Sequence, residues 1–503
     1  MKKFIEKFLL PLLGVSKGDY EIEKSEISNS FINDRKLFDK HPIFKESSNI
    51  IHIGYVEKKK YLYKVILNND VIDEDLNLAR YIIKYFSLVV NSNNLYNLKT
   101  IDKERIINKD NNNESIYLQK LYDYSIQKGI CDWIINANTM QSFRIEKLIN
   151  ILEEWSMKTY EGKNVCFGLL INPNGKGKTK ENYCNDFLGF LESEYAAVLT
   201  DGITSIIEVD GNCDFIEYHS ITKDNEFFRY DYNDLIIPYR FTQIIEKNVK
   251  NDKIGIFLLQ NGDIIISKDK EISFIKRNGK WLNFKYNTFE NIIYTIIKEP
   301  KLVKNIFSTI IDVSLAHNGG IIAVVDEINM KKKLNKIISP IDNLSNNKSI
   351  NELYKKGIIR EKNKDKLHID IILKNESSEC IDKFVNQVIK MEKNSIFESK
   401  EKDLRKKLTK REYVKHLIGD KKFYEIDKKL KCELIGLDGA CIIDKTGKVI
   451  SFGAIIKNDA GSSGGGRGAA AKKLSEYGGF AIKISTDGYI EVYIDSKRVY
   501  SIK

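Results

Sequence analysis

Asp438-Gly439-Ala440-Cys441-Ile442-Ile443-Asp444-Lys445-Thr446-Gly447-Lys448-Val449-Ile450-Ser451-Phe452-Gly453-Ala454-Ile455-Ile456 is the stretch whose reading decides the fold. Its apolar runs are short and turn residues separate them. The pattern predicts a strand over Ala440 to Ile443, a turn over Lys445 to Lys448 and a strand from Val449 to Ile456. A Gly/Ser loop then leads into a helix from Arg467 to Tyr477, and strands Ala481 to Ser485 and Tyr489 to Ile494 close around Asp487-Gly488. This order of elements predicts a small α/β sandwich.

Upstream, Leu302, Val303, Ile306, Phe307, Ile310 and Ile311 share one helical face, Asn318-Gly319-Gly320 stops that helix, and Ile321 to Val325 is a short buried strand. Residues 328–430 between these parts are charge-dense, with a helix at Ile381 to Ile389 and a charged run from Lys400 to Arg411. Acidic residues interleave that run and no aromatic ladder accompanies it, so it reads as a solvated helical face, not a nucleic-acid stripe. Residues 161–297 carry strand signals: Val165 to Ile171, Ala196 to Thr200, Ile203 to Val209 and Phe215 to Tyr218, with hairpin signals at Asp201-Gly202 and Asp210-Gly211-Asn212. A meander follows through Ile254 to Leu259, Asp263 to Ser267, Ile272 to Lys276 and Trp281 to Phe284, turning at Asn261-Gly262, Lys268 to Lys270 and Asn278-Gly279. The first 160 residues read as mixed, with helices at Leu76 to Val90 and Ile145 to Trp155 and an Asn-rich loop at Asn108 to Asn113. The expected fold class is α/β in a mixed α+β chain. Its expected parts are an N-terminal mixed region (1–160), a strand-rich meander (161–297) and an α/β domain with a central mixed sheet (298–503) interrupted by the charged segment.

A length of 503 residues implies more than one core. The net charge of +11 would suit an anionic ligand, but the lysines are scattered rather than clustered. Seven cysteines show no C-x-x-C pair and no zinc-type spacing, which fits reduced thiols in a cytoplasmic protein. No apolar run is long enough for a membrane helix. The apolar start, Phe8 to Leu13, is crowded by Glu6 and Lys7 and lacks a small-residue cleavage site, so a packed or amphipathic helix is expected there.

The chemistry concentrates near the carboxy-terminal end of the sequence. Gly464, Gly465, Gly466 and Gly468 surround Arg467 just ahead of Ala469-Ala470-Ala471. Glycines let backbone N–H groups approach a ligand, a helix amino terminus adds unpaired donors, and a guanidinium adds bidentate geometry, so the natural guest is a phosphate. Asp438 at the start of a strand is a carboxylate suited to Mg²⁺ or Mn²⁺ on a triphosphate. A second stretch, Asn172-Pro173-Asn174-Gly175-Lys176-Gly177-Lys178-Thr179, ends like a phosphate loop, but Asn172 stands at the first glycine position and Pro173 lacks a donor, so it reads as a basic turn. His317 reads as a helix cap or a surface residue rather than a catalytic base.

Together these residues resemble the diadenylate cyclase domain of DNA-integrity-scanning proteins. That family carries Asp-Gly-Ala on a strand, Gly-x-Arg-His-Arg-Ala-Ala opening a helix and a later Ser-Glu-Glu. Asp438-Gly439-Ala440 matches the first motif, and Gly465-Gly466-Arg467-Gly468-Ala469-Ala470-Ala471 keeps the first arginine and the paired alanines. Gly468 and Ala469 replace the histidine and second arginine, and Ser485-Thr486-Asp487 stands for Ser-Glu-Glu. The resemblance implies a nucleotide site, for ATP or a cyclic dinucleotide, built from Gly439, Ala440, the glycine loop, Arg467 and Ser485, with Asp438 as metal ligand and catalytic group. It also implies a homo-oligomer, since two such domains face each other in the family. Loss of two triphosphate ligands shifts the expectation from turnover to binding, with an active diadenylate cyclase as the alternative and a non-nucleotide scaffold as a third reading.

Overall fold

The computed structural model describes residues 1–13, 15, 20–26, 43–56, 60–68, 73–91, 114–135, 139–177, 187–220, 237–283, 286–328, 413–456 and 465–502. The Asn108–Asn113 loop, the Ile381–Ile389 helix, the Lys400–Arg411 run and Gly464 lie outside them. The chain divides into two compact units, with the division near Phe289 and Glu290. The boundary expected near 297 falls close to it, and the one expected near 160 lies inside the first unit.

In the first unit, strands β1 (Tyr20–Glu26), β2 (Ile43–Ser47), β3 (Ile50–Val56) and β4 (Lys60–Leu67) form an antiparallel sheet in the order β1-β4-β3-β2. Helices α1 (Asp73–Asn91), α2 (Glu114–Ile134) and α3 (Thr139–Ser156) follow. The apolar start is helical over residues 2–12 and packed: Phe4 is fully buried and stacks on Phe86 at 4.1 Å.

A larger sheet follows, built from β5 (Phe167–Asn172), β6 (Ser205–Asp210), β7 (Phe215–Ser220), β8 (Ile254–Leu258), β9 (Ile264–Lys268), β10 (Glu271–Arg277) and β11 (Lys280–Leu282). Helix α4 (Thr242–Asn248) precedes β8. The strand order is β11-β10-β9-β8-β5-β6-β7, with β5 and β6 parallel and the other pairs whose registers are resolved antiparallel. The expected meander is β8 to β11. Ala196 to Thr200, expected as a strand, is instead a 3-10 helix over Glu194–Val198: the two alanines are buried while Tyr195, Val198 and Leu199 are exposed, a turn pattern rather than an alternating one. Asp201-Gly202 is no hairpin either. The Asp201 carboxylate accepts from the N–H groups of Ile203, Thr204 and Ser205 at 2.7–3.0 Å and launches β6 parallel to β5.

The second unit is the expected α/β domain, with a mixed sheet. Helix α5 (Pro300–Leu315) enters β12 (Gly320–Val325); then come α6 (Lys428–Ile435), β13 (Ala440–Asp444), β14 (Val449–Ala454), α7 (Gly465–Ser475), β15 (Phe480–Ile484), β16 (Ile490–Ile494) and β17 (Lys497–Ile502). The order is β14-β13-β12-β15-β16-β17, with β12 and β13 parallel. Side chains alternate across the sheet. Ile321, Ala323, Val325, Ala440 and Ile442 pack with Ala470, Ala471 and Leu474 of α7. The other face meets α5 and α6, where a Cβ on Gly320 would lie 2.7 Å from Ile435. Close packing of α7 follows from its alanines, each fully buried apolar side chain of the Ile or Leu kind contributing roughly 1.5–3 kcal/mol.

Two lysines of α6 lie buried against α5. Lys428 Nζ stands 3.7 Å from Asp312 Oδ2, and Lys431 Nζ donates to Asn305 Oδ1. Burial lowers the Lys428 pKa and Asp312 opposes that fall.

Candidate functional site

The site residues singled out by sequence come from three chain segments, around Asp438, Arg467 and Ser485, and strand register brings the first and last to one edge of the second sheet. Ile322 lies opposite Cys441 in the parallel pair, so counting back along both chains sets Asp438 level with Gly319. On the other side Gly320 lies opposite Ile484, which sets Ser485 level with Gly319 as well. Ala440 pairs with Ala454, so the chain into the glycine-rich loop leaves from the same edge.

Arg467, in the first turn of α7, closes the arrangement. A Cβ on Gly319 would lie 2.3 Å from Arg467 Nη1, 2.7 Å from its Cζ and 3.1 Å from Thr486 Cγ2. The guanidinium therefore lies across the bare backbone of Gly319, and any side chain at 319 would displace it. Gly465 and Gly466 are exposed, with no atom within 4 Å of a Cβ built on either, so the amino terminus of α7 opens beside that guanidinium.

Asp438 is exposed at this edge. Gly439 has φ +112°, and a Cβ there would lie 2.4 Å from the carbonyl carbon of Gly453, so glycine is required by strand packing and not by access to Asp438. The Ala440 side chain is fully buried in the core under α7, which leaves only its backbone for a ligand. The Ser485 hydroxyl accepts from Tyr489 N at 3.0 Å, so this residue first shapes its own turn. Gly468 is buried, and a Cβ there would stand 3.9 Å from Lys483 Nζ.

Lys483 was not singled out by sequence, and Asn318 and Thr486 were named only as a helix stop and as part of the Ser485-Thr486-Asp487 motif. Lys483 pairs with Glu491 at 3.0 Å, and the same carboxylate accepts from Tyr493 Oη and Arg498 Nη1, each at 2.9 Å. A Cβ on Gly436 would lie 3.3 Å from Asn318 Nδ2, so Asn318 borders the approach to Asp438. Only alternation along Phe480 to Ile484 offered a signal, since Lys483 interrupts an otherwise apolar strand.

Among the described residues no three His, Cys, Asp or Glu side chains form a cluster. A single exposed carboxylate beside open helix amides suits Mg²⁺ or Mn²⁺ only as an ion that brings its other oxygen ligands with it, since such ions keep waters and need only one or two protein carboxylates. It does not fit a protein-caged ion.

The other two motifs have structural roles. His317 takes φ +52° at the end of α5, with His317 N bonded to Ser314 O and Asn318 N to Val313 O, both at 3.2 Å; it is the left-handed cap of the helix. In the turn after β5, Gly177 N donates to Asp210 Oδ2 at 2.9 Å, so a carboxylate of the protein holds the amide a phosphate would take. Lys178 and Thr179 lie outside the described residues.

Comparison of the chain with family models, with curated proteins and with solved structures gave no match. No helix among the described residues is long and apolar enough to cross a membrane.

Proposed function

We propose that the second unit binds a nucleotide, ATP or a cyclic dinucleotide, and serves as a sensing domain. The observation that carries this reading is the Arg467 guanidinium lying across Gly319 at the edge where Asp438 emerges. Arg467 and the opening amides of α7 would take the phosphates, and Asp438 would hold Mg²⁺ or Mn²⁺ brought with a triphosphate, an ion that would supply charge neutralisation. The replacement of two basic ligands by Gly468 and Ala469 favours holding over turnover.

Isothermal titration of the full chain with ATP plus Mg²⁺ and with cyclic di-AMP tests the reading. Arg467→Ala is expected to weaken binding about tenfold or more, the range of a lost charge-assisted hydrogen bond, with the melting temperature unchanged. Absence of binding to either nucleotide by the wild-type chain rejects it.

An active diadenylate cyclase is the second reading. It draws on Lys483, whose ammonium approaches Gly468 from the sheet and offers a cation beside the position of a missing basic ligand. It requires two such domains to face each other, and hence a homo-oligomer. Formation of cyclic di-AMP from ATP and Mn²⁺ by wild-type protein, and its loss in Asp438→Ala, separates turnover from binding.

A further inference from the structure

The two larger sheets share one plan. In each, a parallel central pair (β5 and β6; β12 and β13) is joined to a hairpin partner on one side (β7; β14) and to an antiparallel run on the other (β8, β9, β10; β15, β16, β17). Chain order and spatial order agree for six strands, β11 of the first sheet having no counterpart, and each large sheet has a helix directly before the first strand of its antiparallel run (α4; α7).

The turns agree at the level of single bonds. After β6, Asp210 Oδ1 accepts from Asn212 N at 2.8 Å and Asp214 N at 2.9 Å, while Asp210 N donates to Asp214 O. After β13, Asp444 Oδ1 accepts from Thr446 N at 2.8 Å and Lys448 N at 2.9 Å, while Asp444 N donates to Lys448 O. Cys213 (φ +60°) and Gly447 (φ +85°) take the same left-handed position. The next hairpins match too: Leu259 N to Asp263 O and Gly262 N to Leu259 O in one, Ser485 N to Tyr489 O and Gly488 N to Ser485 O in the other. The third turns pair Asp269 and Lys270 (φ +50° and +65°) with Asp495 and Ser496 (φ +46° and +63°). Positive φ at both residues is the geometry that tight two-residue hairpins favour, so these turns support the shared plan by recurring at the same topological position and not by rarity.

We infer that the chain contains two copies of one fold and that only the second keeps a phosphate-holding edge, giving one nucleotide site per chain. This rests on the proposed function. Register identifies the counterparts. Phe167 opposite Leu258 corresponds to Gly320 opposite Ile484, so Cys166 stands where Gly319 lies under Arg467. Phe257 opposite Ile265 corresponds to Lys483 opposite Glu491. Both residues of the first pair are fully buried, and Phe241, just ahead of α4, packs on Phe257 with ring centroids 5.2 Å apart. Thr204 takes the level of Asp438, and its hydroxyl donates to Asp201, whose other oxygen is engaged by three backbone amides. In the first copy, then, Cys166 and Phe257 stand at the positions of Gly319 and Lys483, and Phe241 packs on the Phe257 ring.

Titration of the full chain with ATP in excess Mg²⁺ gives the test. The expected result is one ATP per chain, weakened about tenfold or more in Arg467→Ala and unchanged in Arg240→Ala, which removes the exposed cation next to Phe241. Two ATP per chain, or binding that survives Arg467→Ala and fails in Arg240→Ala, overturns the single-site assignment while leaving nucleotide binding intact. Binding of neither ATP nor, in a parallel titration, cyclic di-AMP by the wild-type chain overturns the proposed function, and the site assignment falls with it.

Discussion

Arg277 in the first unit is wholly enclosed, and its guanidinium meets Asp263 through Nε at 2.9 Å and Nη2 at 2.5 Å. Removing one partner of such a pair leaves an unbalanced buried charge, whereas replacing both with apolar side chains is often close to neutral. Asp263→Ala is therefore expected to lower unfolding free energy by about 3–5 kcal/mol in urea titration, and the double change Asp263→Leu with Arg277→Met by much less. Glu208 gives a pH-dependent counterpart. Burial alone would raise its carboxyl, but donors from Lys253 at 2.9 Å, Asn172 at 2.7 Å and His219 at 2.7 Å outweigh it and hold the group below its ordinary 4.5. A depressed carboxylate stabilises the fold above its unfolded value, and that contribution disappears as pH falls through the folded one. Melting temperature should accordingly drop below about pH 4.5 more steeply in wild type than in Glu208→Gln. At this scale Arg467 and Asp438 were conspicuous in the sequence because glycines flank both, and packing requires the glycine at Gly439 but not at Gly466. Lys483 was not conspicuous, because nothing local to it says which strand it will face.

At the scale of elements, those named from sequence in the second unit lie within about two residues of their observed bounds, since short apolar runs punctuated by Gly and Asp leave few alternatives, whereas α6 and β17 were not read at all. Parallel pairing was not: β5 and β6 read as members of a meander, because periodicity reports a strand but not the direction of its neighbour. The Gly439 position shows why identity at a motif can have a packing cause. Ala at 439 must hold φ near +112° and place a carbon 2.4 Å from Gly453, a backbone neighbour that cannot swing away. Gly439→Ala is expected to cost more than the roughly 1–3 kcal/mol of the dihedral strain alone, read as a fall in melting temperature. Gly466→Ala, with open space around it in α7, is expected to be neutral or to raise stability by up to about 1 kcal/mol. A similar loss in both variants would show that close approach to β14 is not what selects glycine at 439.

For the whole molecule, the recurrence of one strand order escaped the sequence because its two versions share turn geometry and not composition: Asp210-Gly211-Asn212-Cys213-Asp214 and Asp444-Lys445-Thr446-Gly447-Lys448 agree only at their first residue. What the two share is a pattern of amides collected by one aspartate, which many sequences satisfy. In open α/β sheets the carboxyl ends of parallel strands usually receive the ligand. Here those ends of β12 and β13 are taken up otherwise, by Lys445 against Asp326 at 3.2 Å and Lys448 against Glu327 at 3.1 Å. Phe423 N also donates to Gly447 O there at 2.7 Å. The long excursion between Glu327 and Phe423 thus departs and re-enters at one rim of the sheet, and Asp438 and Arg467 stand at the opposite rim. Closing a chain excursion whose feet already stand together costs only logarithmically more as it lengthens. The root of that excursion is a port at which the chain can be lengthened, shortened or exchanged over generations while the spacing between Asp438 and Arg467 stays as the sheet sets it.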